Sequence, residues 1–255
     1  MPTEAADLEL RPATGADVET LADLFWAARE AAYPAMPRSV HTREECTHWF
    51  REVLGLEPRT TAMPVDRAAW VAARHGEVVG YVVVDPGWLD SLYVRPDLTG
   101  QGIGAVLLDL VKGLLPDGFG LWVFESNVRA QAFYARHGLV VVRRTDGSDN
   151  EERSPDLHMA WFGADPVAGV RRRIDDVDDR LAALLAERAA LTAAAQRLKD
   201  VPGEAGRDPD REAEIVDRMA RRGPAVGDRL GRDRLARIMH VVISESLDAA
   251  EKDPE

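Results

Sequence analysis

Residues 171–199, RRRIDDVDDRLAALLAERAALTAAAQRLK, put positive charge where a helix would be expected to bury leucine. At about 100° per residue, Ile174, Val177, Leu181, Leu184, Leu185, Leu191 and Ala195 share a stripe roughly 120° wide, the core-facing stripe of an amphipathic helix. Arg188 falls at the middle of that stripe, Lys199 on it about three turns later, and Arg171 off its edge. A buried guanidinium needs an anion, since leaving it unpaired costs several kcal/mol. One reading is structural: Arg188 snorkels or pairs with an acid of the protein itself. The other is chemical: its planar fork donates two parallel hydrogen bonds to a ligand carboxylate. The stretch GRDPDREAEIVDRM bears on the choice. It starts a helix at Asp208, with Pro209 at the first helical position, and sets Arg211 and Glu212 in the first turn. Two helices then supply Arg188, Lys199 and Arg211, with Asp208 and Glu212 nearby. Such a set concentrates cations where an anionic ligand with carboxylates could be held. No acid–base pair is evident in it.

A second set lies earlier. In LDSLYVRPDLTGQGIGAVLLDLVKGLL a strand ends at Val94, a short loop holds Gly100, Gly102 and Gly104, and an amphipathic helix follows. Glycines let a backbone approach a ligand, and a helix start offers free N–H groups to phosphate. No Gly-Lys-Ser/Thr follows, so this is not a Walker loop. ESNVRAQAFYARHGLVVV comes next, with Asn127 and Tyr134; packing beside Phe133 is the structural reading of Tyr134. Asp90 and Glu125 are candidate bases on the strands, and each is equally an ordinary surface acid. The six histidines show no metal-ligand spacing, and no metal site is expected. The one cysteine, Cys46, reads as a structural thiol.

The elements that must position these residues fall into two groups. Every Phe, Trp and Tyr lies at or before Phe162. Before it, short β-like runs alternate with helical ones, in the order strand, helix, helix, three strands, helix, strand, helix, two strands. After it only helical periodicity remains. FGADPVAG marks the seam, with Gly163 and Pro166 as punctuation. The expected fold is an α/β domain over residues 1–163, a mixed central sheet with flanking helices, followed by an all-α three-helix domain over 167–251. The 171–199 helix would be about 42 Å long, too long for a domain of that size to cover, so a second copy of the chain is the expected cover. The net charge is −12, divided as −9 over residues 1–163 and −3 over the rest. Neither half is a basic nucleic-acid surface. No apolar run approaches 18 residues and no signal peptide is read, so no membrane association and a cytoplasmic location are expected.

Residues 167–251 resemble the all-helical, type II chorismate mutases, through VRRRID..D..LAALLAER..L......LK........RDPDRE. That resemblance implies that Arg188, and Arg171 of a second chain, hold the carboxylates of chorismate. It implies that Lys199 contacts a carboxylate and the breaking ether oxygen. Asp208 and Glu212 would face the ring hydroxyl, Arg211 would support the site, and Ser246 would lie in the third helix. It also implies an interlocked homodimer and no cofactor for this half. One turn after that serine the family usually has Gln or Glu. Aligned on VISES, this chain has Ala250, with Glu251 adjacent; a shifted register offers Ser244 and Asp248. The same scaffold could instead take 4-amino-4-deoxychorismate, or isochorismate with loss of pyruvate, or serve as a metabolite-sensing dimerisation domain.

The first half resembles the GNAT acetyltransferases, through LYV.P...GQGIG..LL and N..A..FY...G. This implies acetyl-CoA as cosubstrate, held by the amides of Leu92, Val94 and the loop of Gly100, Gln101, Gly102 and Gly104, with Asn127 assisting. Tyr134 would protonate the departing CoA thiolate, a role within reach of a phenol. Thr99 stands where the family commonly has Arg or Gln, which implies weaker phosphate binding. The acceptor amine is not readable.

Overall fold

The computed structural model describes residues 7–57, 67–198, 208–221 and 231–252. The chain forms two compact units that divide between Gly169 and Val170. The first contains β1 (Leu8–Pro12), α1 (Val18–Ala32), α2 (Arg43–Val53), β2 (Ala68–Arg74), β3 (Glu77–Asp85), β4 (Trp88–Val94), α3 (Ile103–Leu114), β5 (Phe119–Phe124), α4 (Val128–Arg136), β6 (Val140–Thr145) and β7 (Asp156–Trp161). This is the order expected from the sequence. The seven strands form one mixed sheet, ordered β1-β2-β3-β4-β5-β7-β6.

Both faces of the central strands are buried, which is why β3 reads as a nearly continuous apolar run. On one face Leu107, Leu108 and Val111 of α3 pack with Val82, Phe119, Leu121 and Met159. On the other, Leu21 of α1 and Phe50 of α2 pack with Val71, Tyr81 and Val83. These two cores fix β4 from both sides. At its far edge β4 is less constrained. It runs parallel to β5, but the two pair only at Trp88 and Gly120, near their starts. Beyond that point no ladder joins them.

The entry into α1 is fixed by charge. Asp17 is buried and accepts both arms of the Arg11 guanidinium, at 2.8 Å each, and the Thr14 amide at 2.8 Å. Its carboxyl is held down at about 2, chiefly by the hydrogen bond from Arg11 and against the cost of desolvation.

The second helical stretch departs from expectation at its start. The helix α5 runs from Pro166 to Arg197, beginning five residues before Arg171. Pro166 is not a break but the first helical residue, a position where its missing N–H costs nothing. The Asp165 side chain caps the end by accepting the Ala168 amide at 3.0 Å. Gly169 follows because a Cβ there would stand 1.8 Å from the Phe162 carbonyl oxygen. The second unit continues with α6 (Pro209–Arg221) and α7 (Arg232–Lys252). None of the helices among the described residues is long and apolar enough to cross a membrane.

The Asp17 carboxyl sets an acid limit on the first unit. A carboxyl depressed in the folded state stabilises it fully above the unfolded value near 4 and loses that contribution as pH falls towards 2. All six tryptophans lie in this unit, so their fluorescence reports its unfolding alone. Asp17→Asn is expected to lower its stability by about 2 kcal/mol at pH 7 and to flatten its loss of stability between pH 4 and 2. Equal slopes for the two proteins would show that Asp17 is not the controlling group.

Candidate active sites

In the first unit the divergence of β4 from β5 makes the site. Tyr93 lies opposite Tyr81 and Ser91 opposite Val83 in the antiparallel pairing with β3, and the Arg95 amide continues it by donating to the Val79 carbonyl at 2.9 Å. Backbone polar groups alternate in direction along a strand. Residues 91, 93 and 95 therefore spend theirs on β3, and Leu92 and Val94 direct theirs to the side that β5 has left. A register shift at Val83/Val84 makes Asp90 the extra residue of a bulge, just where the divergence begins. Bulges bend a strand and re-aim its side chains.

The glycine loop lies at the end of β4. Gly100 and Gly102 both have φ +87°, and a Cβ built on either meets nothing within 4 Å. Conformation alone demands glycine there, and the space beside each is open. The first bonds inside α3 are those from Ala105 and Val106 to the Gly102 carbonyl. The amides of Ile103 and Gly104 precede them and face outward, a ready anion site. The loop thus fits a phosphorylated cosubstrate. Gly104 differs: a Cβ there would meet Phe133 of α4 at 3.5 Å and Val94 of β4 at 3.8 Å, ordinary van der Waals contact. Gln101 is not free in the same way, because its side-chain oxygen accepts from Arg74 at 2.9 Å. Asn127 caps α4, its side chain accepting the Ala130 amide at 3.1 Å. Thr99 donates its hydroxyl to the Pro96 carbonyl.

Tyr134 projects from α4, with Tyr93 of β4 as its electrostatic neighbour; desolvation first, then Tyr93, raises its phenol above the ordinary value. It stays protonated and able to donate. The two candidate bases differ. Glu125 is exposed and paired with Arg144 at 2.8 Å. Asp90 sits at the bulge, accepts from Ser91 at 2.8 Å, lies 3.4 Å from Arg67, and is pushed up by desolvation. Tyr93 and Arg29 were not singled out from the sequence. Tyr93, raised to about 12 mainly by burial, belongs to the matched strand and could have been found by its alternation with Leu92 and Val94. Nothing local marks Arg29.

In the second unit the structure brings Arg188 of α5 to α7. Its Nη1 donates to the Val242 carbonyl at 3.1 Å and to the buried hydroxyl of Ser246, which itself donates to Val242 at 2.6 Å. Both acceptors are neutral, and among the described residues Arg188 makes no ion pair. Ala250 lies one turn beyond Ser246, partly covered, whereas Asp248 is exposed and Ser244 partly covered. Asp208 caps α6, accepting the Arg211 amide at 2.9 Å, and Arg211 pairs with Glu214 at 2.8 Å on the exposed side. Glu212 is partly covered and Arg171 exposed. Lys199 lies outside the described residues. The apolar stripe around Arg188 is uncovered: Leu181, Leu184 and Leu191 are 50%, 61% and 64% exposed.

Comparison with known proteins divides the chain in the same way. Residues 19–139 match the Acetyltransferase (GNAT) family and residues 170–251 match Chorismate mutase type II. The chain therefore carries a GNAT acetyltransferase domain followed by a type II chorismate mutase domain. Among individual relatives, it is 31% identical over 96 residues to the peptidyl-lysine N-acetyltransferase YjaB of Escherichia coli strain K12, a match covering 37% of this chain and 65% of that protein. It is 33% identical over 93 residues to the YjaB protein of Salmonella typhimurium, covering 36% and 63%. The chain thus spans under two thirds of the length of both. The solution structure of apo YjaB from Escherichia coli is 25% identical, covers 62% of this chain and 99% of that one, and superposes with a TM-score of 0.48.

The glycine loop gives a direct test. Gly102→Ala puts a Cβ at a left-handed position at a cost of about 1–2 kcal/mol, and into space facing the outward amides. Gly76→Ala, also at a left-handed φ with nothing nearby, is the matched control in the β2–β3 turn. Both are expected to lower the melting temperature of the first unit similarly. Only Gly102→Ala is expected to reduce the further stabilisation given by acetyl-CoA. Equal acetyl-CoA shifts in the two variants would remove the loop from the binding site.

Proposed function

We propose that the chain is a bifunctional enzyme. Residues 170–251 rearrange chorismate to prephenate as a homodimer, and residues 1–163 transfer an acetyl group from acetyl-CoA to an amine. The mutase reading is carried by Arg188, a cation at the centre of an apolar stripe whose partners among the described residues are neutral oxygens. A structural ion pair would have given it an acid. The exposed leucines on either side support a second copy as the cover.

The rearrangement is intramolecular: one C–O bond breaks, one C–C bond forms, and nothing leaves. The catalyst needs no nucleophile. It must hold the compact conformer of a flexible dianion, an orientation effect, and place donors where the ether oxygen gains negative charge. Arg188, held at one edge by Val242 and Ser246, keeps its remaining donors for a carboxylate. Arg171 is exposed and supplied to the second copy. Lys199 serves the carboxylate and the ether oxygen. Asp208 and Glu212, at the start of α6, meet the ring hydroxyl. With Ala250 on the Ser246 face, Lys199 is the principal donor to the ether oxygen.

The acetyltransferase reading is carried by the amides of Leu92 and Val94, which face the opening between β4 and β5 beside the outward amides of α3. Acetyl-CoA supplies the acyl thioester. Asp90 takes a proton from the acceptor ammonium, the amine nitrogen bonds to the acyl carbon, the C–S bond breaks as Tyr134 gives its proton to the departing thiolate, and the second proton lost by the new amide nitrogen restores the Tyr134 phenol. A raised phenol suits a donor, and a carboxyl whose proton affinity is raised is the stronger base.

Ultraviolet loss of chorismate with the purified protein tests the leading activity. Arg188→Ala is expected to remove about 2–5 kcal/mol of charge-assisted binding, roughly thirty- to several-thousand-fold in rate, without loss of the dimer in light scattering. The unliganded variant should melt no lower, because no acid is stranded. A dimer that melts several degrees lower yet turns over normally would make Arg188 structural.

A further inference from the structure

Arg29, near the end of α1, is nine-tenths buried. Its Nη2 donates to Glu152 at 2.7 Å and to the Pro37 carbonyl at 2.9 Å. Its guanidinium lies over the rings of Phe25 and Phe124, at 5.5 and 5.9 Å. Tyr93 is hydrogen-bonded to it. Its Nε is buried and has no partner among the described residues. Tyr93 belongs to β4 and Phe124 to β5, the two strands that diverge. Arg29 therefore bridges the opening on the α1 face, opposite the face from which α3 presents its amides. An amine attacking a thioester held from the α3 side must arrive from the side of Arg29.

Glu152 is not part of any strand or helix. It sits in the loop between β6 and β7, 123 residues away in sequence. Together with Phe124 it lines an open cleft of about 330 Å³ that also includes Trp122, Asp149 and Asp156. A cleft of this size accommodates an amino acid. Its carboxylates suit an ammonium group, Arg143 also lines it, and Arg29 lies behind that lining, paired with Glu152. Exchanging that carboxylate for a ligand's preserves the charge pairing and leaves no buried charge alone.

We propose that Arg29 is the carboxylate anchor of the acetyl-acceptor site, that Glu152 stands in for the acceptor's carboxylate, and that the acceptor is a small amine carrying a carboxylate, an amino acid by class. This rests on the acetyltransferase reading. The unpaired Nε is the second donor of a fork that Glu152 fills at Nη2 only, and a bidentate ligand completes it.

The full chain is tested for CoA release from acetyl-CoA with the twenty protein amino acids and 4-aminobenzoate, each beside its primary amide. Acids are expected to exceed their amides by about thirtyfold or more in kcat/KM, the penalty for an unfilled charged site. Arg29→Gln should bring the ratio near one while acetyl-CoA still stabilises the protein. Glu152→Gln should raise kcat/KM for the acids. The double variant R29Q/E152Q, which strands no charge, replaces Arg29→Gln if the latter does not fold. Equal use of acids and amides overturns the proposal, as does a lysine peptide that outperforms every free acid, or no acetylation of any pair while acetyl-CoA still binds. Absence of stabilisation by acetyl-CoA overturns it at its premise, and marks the acetyltransferase reading itself as the failure.

Discussion

A buried or half-buried polar group with no full partner is expensive, and a folded chain keeps one only where something else completes it. Arg188 is the clearest instance in this protein. It carries a full charge to a helix face of leucines and, among the described residues, receives a backbone carbonyl and a hydroxyl in return. Neutral acceptors orient a guanidinium but do not neutralise it. The rest of the second unit follows from that need: α7 places Val242 and Ser246 one turn apart to steer the fork, and the apolar residues flanking Arg188 remain open.

The first unit meets the same constraint with backbone instead of side chain. The two packed cores hold β4 rigidly, and the bulge at Asp90 lets it turn away from β5 without loosening either core. The amides of Leu92 and Val94 are thereby left without a strand partner, next to the outward amides that begin α3. Two left-handed glycines hold that approach open. Tyr93 and Tyr134 close the opening from opposite faces, and each has its phenol raised chiefly by burial. On the proposed acetyltransferase reading, rigidity around an unpaired edge is what would hold a reactive thioester at fixed geometry.

Much of this was legible in the sequence because the signals are local. Apolar periodicity distinguished strands from helices, and GQGIG announced a loop open to close approach and a helix start. The Asp208-Pro209 pair marked a helix start without reference to the rest of the chain. Pro166 misled, since a proline that punctuates most segments is also well suited to the first turn of a helix, and only Asp165 as cap and the close approach of Gly169 to Phe162 decide between the two. The divergence of β4 and β5 depends on register across the sheet, which no alternation pattern encodes. Asp90 and Glu125 were indistinguishable as letters; the bulge at Asp90 and its neighbours Ser91 and Arg67 separate them. The Arg29–Glu152 pair joins residues more than a hundred positions apart, each ordinary in its own segment. The contact of Arg188 with Ser246 also crosses a long separation, and family resemblance, not periodicity, brought Ser246 into view.

In the proposed mutase site Arg188 of one copy works with Arg171 of another. Subunit complementation measures this directly. Arg171→Ala and Arg188→Ala proteins, each deficient in chorismate turnover, are mixed under conditions that exchange subunits. In a two-fold dimer, half of the pairs formed at random are mixed, and each mixed pair holds one site with both arginines intact and one with neither. Turnover is predicted to recover to about a quarter of the wild-type value. Confirmed exchange with no recovery would place both arginines in the same chain's site and contradict the account.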